Sequence, residues 1–152
     1  MSKTPEIARA LAPVVPFTLE IADGRGGKRA LSFRLSYNFN AYALIERYTR
    51  GPKGEPGLDM LKGLLVWGQI NATNLQILFW AALRQEHPEY RGDIGLEAVG
   101  ELLNLNNSVA ASDACFEAWM LTLEEENRAA IRKMIEARND KEQPENPQTP
   151  TA

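Results

Sequence analysis

The chain has 152 residues, of which 44% are hydrophobic and 24% charged, with a formal net charge of −3, one Cys and one His. This is the composition of a single soluble globular domain. It excludes a disulfide framework and a zinc site built from about four soft or imidazole ligands, and it argues against a protein whose main task is neutralising phosphates.

Charge is unevenly placed: residues 1–57 hold nine Lys or Arg against five Asp or Glu, and residues 58–152 hold eight against fifteen. The pattern predicts a start with basic edges and an acidic helical remainder. It lacks the dense basic cluster with interleaved aromatics that binds nucleic acid. Lys3, Glu6 and Arg9 interrupt the first residues, so no secretory leader is expected. The apolar stretch 64–70 is far short of the roughly 20 residues that span a membrane. Without a secretory route the triplets Asn71-Ala72-Thr73 and Asn106-Asn107-Ser108 carry no weight as glycosylation sites, and the lone Cys115 fits a reducing cytoplasm.

In Val15–Ala22, Phe17, Leu19 and Ile21 alternate with Thr18 and Glu20, which predicts a half-buried strand. A Gly-rich turn over 23–28 follows. Leu31, Phe33, Leu35 and Tyr37 then alternate with Ser32, Arg34 and Ser36, and the two runs together read as a β-hairpin. The period next switches to that of a helix: Asn38 or Asn40 can cap a segment with Ala41, Leu44, Ile45 and Tyr48 on one face. The Pro/Gly-rich stretch 51–57 must be a loop, and residues 58–67 read as a short apolar helix ended by Gly68.

Asn71 or Thr73 opens the strongest helical pattern, 74–84, which is apolar nearly all round and therefore central. His87-Pro88 ends it. Leu96, Val99 and Leu103 mark a small helix, and Asn106-Asn107-Ser108 caps another carrying Phe116, Trp119, Met120 and Leu123. From there either one long helix reaches about Arg138 or a capping-box pattern at Thr122 to Glu125 starts a new one. These elements predict an α+β, mainly α fold: an N-terminal β-hairpin followed by a compact bundle of about five short helices. The expected organisation is a flexible segment over 1–14, one domain over 15–139 and a disordered Pro-containing tail over 140–152.

No group of residues makes an enzyme. The loop Gly24-Arg25-Gly26-Gly27-Lys28 has Arg29 where a phosphate-binding loop needs a hydroxyl, and it joins two strands. Cys115 sits beside Phe116 on an amphipathic pattern and reads as a small buried hydrophobe, while His87 reads as a helix-end residue favoured by the dipole. Glu124, Glu125 and Glu126 point to different sides of a helix and suit a first turn. Arg91-Gly92-Asp93 reads as a turn. No metal or cofactor is implied. The surplus of large apolar side chains points instead to a protein partner. Leu64, Leu65, Val66 and Trp67 cannot all face one core, and Leu64, Trp67 and Trp119 are the candidate partner-binding residues.

The order of elements resembles the tail assembly chaperones of long-tailed bacteriophages and gene transfer agents. The similarity runs over roughly 17–103. It is carried by the hairpin, by Asn38-Phe39-Asn40-Ala41 leading to Leu44-Ile45-Glu46, and by Asn71-Ala72-Thr73-Asn74 through Leu78-Phe79-Trp80-Ala81-Ala82-Leu83. His87-Pro88-Glu89 and Leu96-Glu97-Ala98-Val99-Gly100-Glu101-Leu102-Leu103 extend it. The loop 51–57 departs from the pattern. The resemblance implies a non-enzymatic chaperone in the bacterial host cytoplasm that binds and solubilises the tape measure protein and helps recruit tail tube subunits. Such a chaperone is absent from the mature virion, and self-association is compatible with the role. Two alternatives remain: a phage structural protein of the tail-completion or head–tail joining kind, and a small helical DNA-binding regulator. The second is disfavoured by the five acids, Glu86, Glu89, Asp93, Glu97 and Glu101, against Arg84 and Arg91 in 71–103.

Overall fold

The computed structural model describes residues 13–142. It has an antiparallel hairpin of β1 (Val15–Ala22) and β2 (Lys28–Leu35), followed by helices: α1 (Phe39–Tyr48), 3-10 turns over Met60–Gln69, α2 (Ala72–Leu83), a 3-10 turn at Pro88–Tyr90, α3 (Gly92–Leu102), α4 (Ser108–Met120) and α5 (Glu125–Glu142). The fold is α+β and mainly α. The described chain divides into two units at residue 122. The first unit holds the hairpin and α1 to α4; the second holds α5. Of the segments expected to be flexible or disordered, all but Pro13, Val14 and 140–142 lie outside the described residues. Residues 140–142 continue α5.

The hairpin register pairs Phe17 with Phe33 and Leu19 with Leu31. Alternation puts Leu19, Phe33 and Leu35 into the core and leaves Thr18, Glu20 and Arg34 outside. The turn closes around a side chain: Asp23 Oδ1 accepts from the N–H groups of Arg25 at 2.8 Å and Gly27 at 3.0 Å. The amides that might have cradled a phosphate are thus occupied by a carboxylate. β2 stops at Leu35 rather than Tyr37 because α2 takes over its hydrogen bonding. Ser36 N–H donates to Ala82 O at 3.0 Å, and the Tyr37 hydroxyl donates to Leu78 O at 2.8 Å.

α2 is the centre of the first unit, with every side chain from Ile77 to Leu83 buried. Its start is fixed by Asn71, whose Oδ1 accepts from Asn74 N–H at 2.8 Å. Trp80 is 1% exposed and donates through Nε1 to Tyr90 O at 2.6 Å. Gly95 lets α3 close over that same carbonyl, since a Cβ there would collide with Tyr90 O. Phe79 meets Phe17 and Phe33 edge-on, with ring centroids 6.0 and 5.9 Å away.

The short apolar helix expected over 58–67 takes 3-10 form over Met60–Gln69. Gly63 adopts φ 67°, which breaks the segment into two short 3-10 pieces, and Asp59 caps the first by accepting from Leu61 N–H at 2.9 Å. Further on, the chain takes the break near Thr122 instead of one long helix. Thr122 N–H and Oγ1 both donate to Trp119 O, at 2.9 and 2.6 Å, closing α4. The Thr122 hydroxyl is therefore spent on α4 and on Tyr42, whose hydroxyl lies 2.6 Å away, rather than on capping α5.

Asn107 was expected to cap α4, but its side chain makes no capping bond. Instead it is buried and joins three elements. Nδ2 donates to Glu20 O on β1 and to Leu102 O on α3, both at 3.0 Å, while Oδ1 accepts from Asn104 N–H at 2.8 Å. Each such bond is worth about 1 kcal/mol net, and an orphaned buried group costs about 1–3 kcal/mol. Asn107→Ala is therefore expected to lower stability by about 2–4 kcal/mol in urea unfolding. A loss under about 1 kcal/mol would show that these bonds are replaced by water.

Candidate functional site

The structure separates the three residues singled out for partner binding. Trp119 is 2% exposed and belongs to the core, so it is not available to a partner. Trp67 is half-buried, its ring 5.8 Å from Trp119 and 5.5 Å from Phe116, and Leu64 is half-buried as well. The 3-10 segment instead turns Leu61 and Leu65 outward, 71% and 68% exposed. The apolar surplus of this stretch is real, but the kink at Gly63 decides which side chains it presents.

His87 and Cys115 stand in different surroundings. His87 stands under the hairpin: its Nε2 accepts from Arg34 N–H at 2.9 Å, and its ring meets Phe33 edge-on at 5.5 Å. Through this acceptor bond His87 ties the end of the α2 region to β2, and its Nδ1 lies 3.8 Å from the Glu89 carboxylate. Cys115 has different neighbours. It is fully buried beside Tyr37, and burial pushes its thiol up from 9.0 to about 12, with the Tyr37 hydrogen bond a smaller, opposing influence. Burial also raises Tyr37 well above its ordinary value. Among the described residues no group of three or more His, Cys, Asp or Glu could hold a metal ion. No described helix is long and apolar enough to cross a membrane.

The sign of the Cys115 shift makes a prediction. With the folded value above the unfolded one, the thiol weighs equally on both states below pH 9. As pH rises from 9.0 towards 12, ionisation stabilises only the unfolded chain, so stability falls in that window. Tyr37 acts in the same direction. Denaturant midpoints are expected to hold between pH 7 and 8.5 and to drop above pH 9, less so in Cys115→Ala. A thiol reagent at pH 8 is expected to leave the folded protein unmodified and to react on unfolding. Rapid modification of the folded chain would contradict this burial.

A different feature has the form of a binding site. The start of α2, the end of α3, the connection between α3 and α4, and the start of α4 enclose an open cleft of about 530 Å³. Ile70, Leu75, Leu103, Leu105 and Val109 supply its apolar surface. Asn71, Gln76, Asn104, Ser108 and Ser112 add uncharged polar groups, and Ala72 and Gly100 keep parts of the wall low. No charged side chain lines it. Leu105 is 94% exposed and Val109 71% exposed, beyond what a core would leave in water. The walls are held firmly: Gln76 Nε2 donates to Leu96 O at 2.9 Å, tying α2 to α3, and Asn107 fixes the connecting turn.

Reading helical periods alone missed the cleft, because Leu105 lies between helices and Val109 sits one turn away on a pattern dominated by Phe116 and Trp119. The available signal was charge. Residues 70–83 and 102–112 contain no charged side chain, and these two stretches supply all the lining except Gly100. Comparison of the chain with family models, curated proteins and solved structures finds no match in any of the three.

Proposed function

We propose that this protein is a non-enzymatic tail assembly chaperone that holds an apolar helical segment of the tape measure protein in the cleft between α2, α3 and α4. In this role it keeps that partner soluble in the host cytoplasm, helps recruit tail tube subunits, and leaves before the virion is complete. The observation that carries the reading is the uncharged cleft of about 530 Å³ with Leu105 and Val109 exposed at its edge. Apolar surface gathered in a preformed concavity is what helix-in-groove capture requires. The segments that resemble tail assembly chaperones support it by position: 71–83 and 96–103 supply two of the walls.

The test is co-expression with the tape measure protein of the same phage or gene transfer agent. The tape measure protein alone is expected in the pellet, and with the chaperone in the soluble fraction, co-purifying with it. Purified particles are expected to lack the chain. If it neither binds nor solubilises the tape measure protein and is found in particles, the protein is structural and the chaperone reading is lost.

A further inference from the structure

We propose that the cleft selects a cationic amphipathic helix, seating its apolar stripe on Leu75, Leu103, Leu105 and Val109 while Lys and Arg on its flanks meet carboxylates of α3 and α4. This rests on the cleft being the binding site, as proposed above, and adds the chemistry of the segment it takes.

The charge pattern around the cleft is one-sided. α3 carries Asp93, Glu97 and Glu101, α4 carries Asp113 and Glu117, α2 carries no charge, and no Lys or Arg occurs anywhere from 92 to 127. Helical spacing directs several of these carboxylates to the cleft margin. Val109, Asp113 and Glu117 follow one another at i, i+4 on a single ridge of α4, so the acids continue the line of an edge residue. On α3, Glu97 stands three residues before the lining Gly100 and so shares its side of the helix. All five acids are exposed. None of them is within ion-pair distance of a Lys, Arg or His among the described residues, and the hydroxyl of Tyr48 donates to Asp93. An uncharged concavity with a rim of uncompensated carboxylates fits a segment whose apolar stripe is flanked by cations, and it repels one flanked by acids.

Two features oppose this field and are weaker. The amino-terminal ends of α2 and α4 open onto the cleft with about half a positive charge each, an effect confined to the first turn. The basic end of the hairpin reaches α4 through the bond from Asn107 to Glu20 O, but there Lys28 lies 3.8 Å from the Glu20 carboxylate. A second copy of this chain is a poorer occupant, because it would bring the same acidic rim against itself.

The experiment uses the full chain and two fluorescein-labelled peptides of about 18 residues, long enough for about five helical turns. They share Leu at i, i+3, i+4 and i+7 and differ only in having Lys or Glu on the polar face. At low salt the Lys peptide is expected to bind at least about tenfold more tightly, and the gap is expected to shrink to within about threefold in about 0.5 M NaCl. Glu97→Gln with Asp113→Asn should narrow the gap at low salt, and Leu105→Ser with Val109→Ser should weaken both peptides. Circular dichroism on each variant separates lost binding from lost folding. Equal or tighter binding of the Glu peptide overturns the proposal, as does binding that ignores Leu105 and Val109. Dimerisation through those residues that the Lys peptide cannot displace overturns it too. Rescue of the tape measure protein without any preference for Lys removes this inference alone. Lys-selective binding without rescue removes the chaperone reading and leaves this inference standing.

Discussion

Trp80→Ala is expected to abolish cooperative unfolding or to lower stability by at least about 3–5 kcal/mol, the cost of truncating a fully buried aromatic. That is a large share of the about 5–15 kcal/mol that holds a domain of this size. The indole fills the centre of the first unit at 1% exposure, tilted against the Tyr48 ring at 5.0 Å, with the Arg84 guanidinium 5.4 Å from its centroid. Its loss also strips Tyr90 O of the bond from Nε1, adding the cost of an unpaired carbonyl. Trp80→Phe, which keeps most of the buried area and loses that bond, should be markedly milder. Trp67→Ala should cost only about 1–3 kcal/mol. Trp67 is half-buried, and its Nε1 is enclosed without an acceptor among the described residues, so truncation also removes an unfavourable donor. Urea melts of the three variants decide the matter, and equal losses at Trp80 and Trp67 would contradict this division of core and periphery.

On the proposed chaperone role, Leu105→Asp with Val109→Asp is expected to eliminate solubilisation of the tape measure protein while leaving the variant folded. Both side chains are already in water, so the change takes little burial from the fold. In a complex each new carboxylate would be buried against apolar surface. Loss of a hot spot is worth about 2 kcal/mol or more, which weakens binding about thirtyfold. Leu61→Asp with Leu65→Asp is the control, also largely exposed but placed on the 3-10 segment outside the cleft lining. Rescue is read as the soluble fraction of co-expressed tape measure protein, and folding by circular dichroism and the melting temperature. If the 61/65 pair abolishes rescue and the 105/109 pair does not, the partner docks on the 3-10 segment and the cleft has another use.

Much of the local structure followed from short-range pattern. Alternation over 15–22 and 29–37 marked the hairpin because a strand shows its two faces with a period of two, and the turn chemistry of Asp23 and Gly27 joined the runs. The apolar content of α2 on all sides predicted its central place, since a helix with no polar face has nowhere else to go. Asn38 and Asn71 act as caps through bonds to backbone only three residues away, which is why their role was readable. The short helix over 58–67 was legible as apolar, but its 3-10 form was not, because composition does not reveal that Gly63 takes a positive φ.

What only the tertiary structure decided depends on partners far apart in the chain. Trp119 and Trp67 sit on comparable apolar stripes, and periodicity reports that a stripe is apolar without saying whether another element covers it. Packing buried Trp119, half-covered Trp67, and left Leu105 and Val109 in water. His87 became an acceptor for Arg34 N–H across 53 positions, and Asn107 reached Glu20 O across 87. Local pattern determined which segments would be strands and helices, because propensity and periodicity act over a few residues. The cleft and the roles of these polar side chains came from long-range docking, which no short window of sequence encodes.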